Sequence, residues 1–177
     1  MELTEEGKGN KCTPIPVSYR GSFWALRLTD DDCHRVLCGS KQDPSKSLRK
    51  LPDYLIFAEP CGKRRKADRG PALQALVCEL KSSETGATSA RRQVQLGKFL
   101  VEYLVRIASF ADGSVKTLHD IDIRGLIASP SYPPQIRAKG ATRADQPDDG
   151  WELDAESDMS IYRIGCDEVV RLEDFFR

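Results

Sequence analysis

The stretch Leu76-Val77-Cys78-Glu79-Leu80-Lys81 constrains the fold of this chain more than any other. It is a short apolar run that reads as a strand, and an acid and a base stand two residues apart in it. Side chains alternate between faces along a strand, so Glu79 and Lys81 share one face, about 6.6 Å apart, while Cys78 and Leu80 take the other. A carboxylate and an ammonium are thus held side by side on a sheet. Glu-x-Lys is a common tripeptide and an edge salt bridge would account for it, so the flanking elements decide what the pair is for.

A chain of 177 residues suits one domain, of a size that buries roughly 70% of its unfolded surface. Hydrophobic residues at 40% and charged residues at 31% match a soluble globular protein. No run of 18 apolar residues occurs, and the acidic start Met1-Glu2-Leu3-Thr4-Glu5-Glu6 lacks the apolar segment of a secretory signal. A cytoplasmic protein without membrane partners is expected. The six cysteines are scattered and read as reduced thiols. Without Cys-x-x-Cys, and with two histidines, a structural zinc site is not expected.

The zero net charge conceals a split. Residues 1–110 hold 19 Lys and Arg against 13 Asp and Glu, and residues 111–177 hold 8 against 14, giving +6 and −6. A basic half that contains the suspect strand favours a phosphate-bearing partner. Mutual attraction between two solvated halves explains the same counts.

Taken in order, residues 1–16 read as a frayed start and residues 18–28 as a first strand. Thr29 then caps a short helix whose first turn holds Asp30, Asp31 and Asp32, and Gly39 stops it. Residues 51–58 read as a strand announced by Pro52, with Asp53 at its mouth. A basic connection, Lys63, Arg64, Arg65 and Lys66, leads to the strand at residues 73–81, so the two strands form a hairpin whose tip is a candidate phosphate clamp. Ser89 is placed as the cap of a helix over residues 90–109, with Val94, Gly97, Val101, Leu104, Val105 and Ala108 as its core face. Arg91, Arg92, Gln95 and Lys98 lie near its start, where free amides attract anions. Strand signals follow at residues 115–117 and 122–129. Residues 130–158 are polar, proline-bearing and then acidic, and read as loop. Residues 159–164 are a last strand before a short helix at 167–176. Trp24 and Trp151 are expected to pack, Trp151 marking a contact surface if one exists in the acidic loop.

The order is a strand led by Pro52-Asp53, a hairpin, a strand carrying Glu79-Leu80-Lys81, and a helix carrying Gln95-Leu96-Gly97-Lys98-Phe99. These resemble the three motifs of the PD-(D/E)XK nuclease superfamily, the last being similar to the Gln-x-x-x-aromatic signature of recombination exonuclease domains. The resemblance spans residues 51–105. It implies an α/β fold, a mixed central sheet flanked by helices with a restriction-endonuclease-like core, and one nuclease-like domain over residues 1–177.

Such a chain would be a Mg2+-dependent nuclease, or one using Mn2+, hydrolysing phosphodiester bonds of DNA. The alternative is an inactive nuclease-fold protein that binds nucleic acid or protein as a regulatory module. Phosphodiester hydrolysis needs a divalent ion to bind a nonbridging oxygen and lower the pKa of a water. Magnesium takes oxygen ligands, typically one or two carboxylates and waters. The resemblance assigns Asp53, Glu79 and the Leu80 carbonyl as metal ligands and Lys81 as the group that orients the water or offsets phosphate charge. Gln95 would help position the water or the nucleic-acid backbone. An upstream acid or histidine often completes such sites; Asp31, Asp32 and His34 are the residues available for it. Glu59 and Asp68 are the acids available in place of Asp53. Lys63, Arg64, Arg65, Lys66, Arg91, Arg92 and Lys98 are expected to bind nucleic acid, DNA first and RNA also open, and a homodimer is left open. The acidic residues 145–158 are a candidate mimic lying over the basic groove.

Overall fold

In a computed structural model of the chain, the described residues are 1–4, 14–28, 51–60, 73–81, 87–112, 121–130, 151–154, 158–166 and 168–176. From Gln74 onward, every residue of strand β5 (Leu73–Leu80) is buried. That is the environment of a strand with neighbours on both edges and packed layers on both faces. The element order explains it. Strands β1 (Glu2–Leu3), β2 (Ile15–Ser18), β3 (Phe23–Arg27) and β4 (Tyr54–Ala58) precede β5. Helix α1 (Ala87–Asp112), β6 (Ile121–Ala128), β7 (Trp151–Asp154), β8 (Met159–Ile164), β9 (Val170–Arg171) and helix α2 (Leu172–Phe175) follow it.

The main sheet runs β3-β4-β5-β6-β8-β7. β3, β4 and β5 form an antiparallel meander, β6 and β8 then run parallel to β5, and β7 returns antiparallel along β8. The expected α/β class with a mixed central sheet is therefore observed. A parallel β5–β6 pair cannot be joined by a tight turn, and α1 lies on the crossover between them.

Alternation sorts the core into two layers. Leu55, Phe57, Ala75, Val77, Ile127, Met159 and Ile161 face α1, meeting Ala90, Val94, Val101 and Val105. Tyr54, Ile56, Leu76, Cys78, Leu80, Leu126, Ala128 and Tyr162 face the other way, onto a small sheet ordered β1-β2-β9 and onto α2. Fully burying one such Leu or Ile stabilises the fold by about 1.5–3 kcal/mol, so each layer contributes heavily.

Several expectations are corrected. Among the described residues of the N-terminal stretch, Leu3 and Ile15 are not frayed but fully buried in the small sheet. Residues 18–28 are not one strand, because the chain breaks around Arg20 and Gly21 and its two parts join different sheets. α1 begins ahead of Ser89, so Ser89 lies inside the helix rather than capping it. Ala108 is exposed because the helix continues past the last sheet contact at Val105. Within the acidic stretch, Trp151–Asp154 is an edge strand and not loop. Near the C-terminus, Val170–Arg171 pairs with β2 and the helix is confined to Leu172–Phe175. Cys166 is disulfide-bonded, against the expectation of reduced thiols throughout, whereas Cys78 is a buried free thiol. Among the described residues, no helix is long and apolar enough to cross a membrane. The expected short helix after Thr29, the basic hairpin tip at 61–72 and the strand at 115–117 lie outside the described residues.

Candidate active site

Three features of the meander bring Asp53 to Glu79. β4 pairs with β5 so that Tyr54 lies opposite Cys78 and Leu55 opposite Val77. Extending this register by one pair sets Asp53 opposite Glu79. The Asp53 carbonyl accepts from Leu28 N at 2.9 Å, keeping its backbone in line with β3, and Asp53 Oδ2 accepts from Leu80 N at 2.7 Å. Directly opposed side chains of an antiparallel pair share a face, so both carboxylates stand on the α1 side, beyond the apolar row Ala75 and Val77.

Lys81 follows in the same direction. Its backbone N donates to Ala128 O at 2.8 Å, prolonging the β5–β6 ladder by one residue, so the alternation holds and Lys81 shares the Glu79 face. The Lys81 ammonium forms an ion pair with Glu79 Oε1 and also donates to Gln93 Oε1 at 2.7 Å. Glu79 is 2% exposed, a burial that a carboxylate tolerates when a cation sits against it.

Gln93 sits at the centre of the helix side of the site. Its Oε1 also accepts from Ser89 Oγ at 3.1 Å, one helical turn earlier, and its Nε2 donates to Leu51 O at 3.0 Å. Donor and acceptor ends of the amide are therefore both engaged, which orients the acceptor toward Lys81. The expected glutamine, Gln95, goes elsewhere: its Nε2 donates to Asp154 Oδ2 at 2.7 Å. Arg91 Nε donates to the other oxygen of Asp154, Oδ1, at 2.6 Å. Asp154, 2% exposed on the far edge strand β7, thus ties α1 down on the opposite side from Gln93. Here one acid of the acidic segment does meet one of the basic helix residues.

The other candidates distribute as follows. Arg92 is exposed, and Lys98 makes an i,i+4 pair with Glu102 at 3.9 Å. Phe99, the aromatic of the helix motif, is 58% exposed. Glu59 lies past the other end of β4 from Asp53, so it does not replace it. Lys63, Arg64, Arg65, Lys66, Asp68, Asp31, Asp32, His34 and His119 lie outside the described residues. Sequence reasoning missed Gln93 and Asp154. The Ser89-x-x-x-Gln93 spacing, which places the two side chains on one helix face, was the available signal for the first.

Comparison with protein-family models, with curated proteins and with solved structures yields no match.

Among the described residues no group of three or more His, Cys, Asp or Glu converges as a metal cage. Two facing carboxylates suit a hard divalent ion that takes one or two protein carboxylates and fills its shell with water. Asp53 and Glu79, with the carbonyl of Leu80 next to Glu79 in the chain, are donors of that kind.

Burial also governs Cys78, immediately before Glu79. Its thiol is pushed well above the usual range, first by desolvation and then by the charges of Asp53 and Glu79. A thiol held neutral and sealed from solvent is unreactive. Under native conditions iodoacetamide is expected to leave Cys78 unmodified and to label it once the chain is unfolded, as read by peptide mass mapping; rapid native labelling of Cys78 contradicts the packing described.

Proposed function

We propose that this chain is a magnesium-dependent nuclease, acting on DNA, with a restriction-endonuclease-like core made of the β3–β4–β5 meander, α1 and β6. The observation that carries the reading is the opposition of Asp53 and Glu79 across β4 and β5, with the Lys81 ammonium bonded between Glu79 and Gln93 on the same face. Asp53, Glu79 and the Leu80 carbonyl would hold the divalent ion, which supplies charge neutralisation and a more acidic bound water.

The residues of the chain do the positioning. Lys81 brings a cation to the place where a nonbridging phosphate oxygen gains charge, and its Nζ is already oriented by two acceptors, so little reorganisation is needed during reaction. Gln93 holds that ammonium, and Leu51 and Ser89 hold Gln93. Arg92, exposed on α1, is available to a phosphate of the bound strand.

One observation favours a second reading, a nuclease-fold binding module without chemistry. The direct Lys81–Glu79 ion pair neutralises the buried carboxylate with no metal required. Calorimetric titration with magnesium and manganese separates the two: binding that Asp53→Asn removes supports the nuclease, and no binding at millimolar concentrations supports the module.

The functional test is cleavage of single-stranded, double-stranded and branched DNA with and without magnesium. Magnesium-dependent products from any of the three are expected, and absence of cleavage on all three sinks the enzymatic reading. Within it, Gln93→Leu is expected to lower the cleavage rate about tenfold to a hundredfold, the scale for a partner that orients a site residue. Gln95→Leu is expected to leave the rate within about threefold while lowering stability by about 1–2 kcal/mol through loss of its bond to Asp154. The reverse ranking returns the motif glutamine to Gln95.

A further inference from the structure

The geometry points to Trp24 as a stacking platform for a base of a single-stranded nucleic acid whose backbone follows β3 toward Asp53, Glu79 and Lys81; this rests on the nucleic-acid part of the function proposed above. Trp24 lies opposite Phe57 and Leu26 opposite Leu55, so both project from the α1 side of the sheet, the side that carries the two carboxylates. Leu28, the next residue of that row, donates its backbone N to Asp53 O. A single row, Trp24, Leu26, Leu28, therefore runs along the edge strand and ends beside the candidate site.

Its exposure is the unusual part. The inward positions of β3, Phe23 and Ala25, pack against the opposite layer, and ordinary alternation would make the outward positions polar. They are instead Trp24, 50% exposed, and Leu26, 44% exposed. The Trp24 ring is not loose: it stacks on Phe57 with centroids 5.8 Å apart and planes at 15°. A ring braced on one side presents a fixed aromatic face on the other.

The occupant follows from shape and continuity. A row one strand wide that leads to two carboxylates and an ammonium suits a chain of planar groups linked by phosphates. Bases stack on aromatic side chains regardless of sequence, and their faces are accessible only in unpaired strands. Trp24 lies opposite Phe57, four residues along β4 from Asp53, or about 13 Å at strand rise. With about 3.4 Å per stacked nucleotide, roughly four stacked nucleotides, or fewer stretched ones, span that distance.

The test measures binding in EDTA, where metal-dependent cleavage cannot consume the probe. Labelled oligothymidine of about twelve nucleotides, and a blunt hairpin duplex, are titrated with wild type, Trp24→Ala and Trp24→Phe. Trp24→Ala is expected to weaken oligothymidine binding about tenfold or more, Trp24→Phe less than about threefold, and neither to change duplex binding beyond about twofold. In a Trp151→Phe background the remaining Trp24 emission is expected to be quenched on saturation with oligothymidine. Unchanged oligothymidine affinity in Trp24→Ala, equal loss for oligothymidine and duplex, or unquenched Trp24 emission overturns the proposal; the quenching and the Trp24→Phe arm decide it if Trp24→Ala does not fold. Trp24-dependent binding without magnesium-dependent cleavage sinks the enzymatic reading and leaves the platform standing, whereas cleavage with Trp24-independent binding sinks the platform alone.

Discussion

Glu79→Gln is expected to reduce magnesium-dependent DNA cleavage by about a thousandfold, the scale on which a preorganised electrostatic group acts at a reacting centre. The substitution keeps shape and removes charge. Its amide oxygen still accepts from Lys81, whose side chain is 20% exposed and reachable by water, so the fold is expected to survive. Lys81→Met should also end cleavage but at a higher structural cost. It takes the ammonium away from a carboxylate that is 2% exposed, and breaking a buried pair from one side destabilises by about 3 kcal/mol. Thermal melts separate the two effects: Glu79→Gln should be folded and inactive, Lys81→Met less stable and inactive. Wild-type cleavage rates in a folded Glu79→Gln variant would remove Glu79 from the chemistry.

Gly97→Val is expected to lower the stability of the fold markedly. A Cβ built on Gly97 collides with the Val77 side chain and comes within 2.7 Å of Pro52 Cγ. Here the helix backbone rests directly on β5, and on the other side of the contact Gly125 leaves room for Val94, where a Cβ would meet Val94 Cγ1 at 2.6 Å. Overpacking of this kind costs about 1–3 kcal/mol or somewhat more, and for a chain of this size each kcal/mol lowers the melting temperature by about 2–4 °C. A drop of roughly 5–10 °C is the expected result. The damage should reach the site as well. Gln93 lies one turn before Gly97 and bonds Leu51 O, next to the same Pro52, so a displaced helix carries Gln93 away from Lys81. A melting temperature unchanged within about 1 °C would show that Val77 and Pro52 yield without cost.

The strands and the long helix were legible because their apolar patterns are long and uninterrupted. The Asp53 and Glu79 strands and α1 appear within a few residues of where periodicity puts them. The choice of glutamine was not legible, and the reason is geometric. Gln93 and Gln95 flank Val94, one on each side of the core face, and helical phase makes both eligible. Only the order of strands decides, because β4 lies on one side of β5 and β7 on the far edge beyond β8. β7 itself was hidden because Trp-Glu-Leu-Asp is four residues long and embedded in acids. Asp154 gains its meaning from burial against Arg91 and Gln95, partners 63 and 59 residues away in sequence. Trp24 reads from the sequence as a packing residue because a large aromatic in a strand usually is buried. Which face of an edge strand stays open depends on where the helix lies across the sheet, and periodicity carries no record of that.

The meander has a kinetic consequence. Lys81 and Gln93 stand 12 residues apart in the chain, whereas Asp53 reaches Leu80 across 27 residues and Arg91 reaches Asp154 across 63. Contacts close in sequence form before those that must close long loops. In refolding, the ammonium is therefore expected to meet the amide that orients it before the Asp53 carboxylate arrives from β4, and Asp154 to join last. The alignment of the lysine belongs to the earliest-formed part of the site, and the pairing of its two acids to a later one.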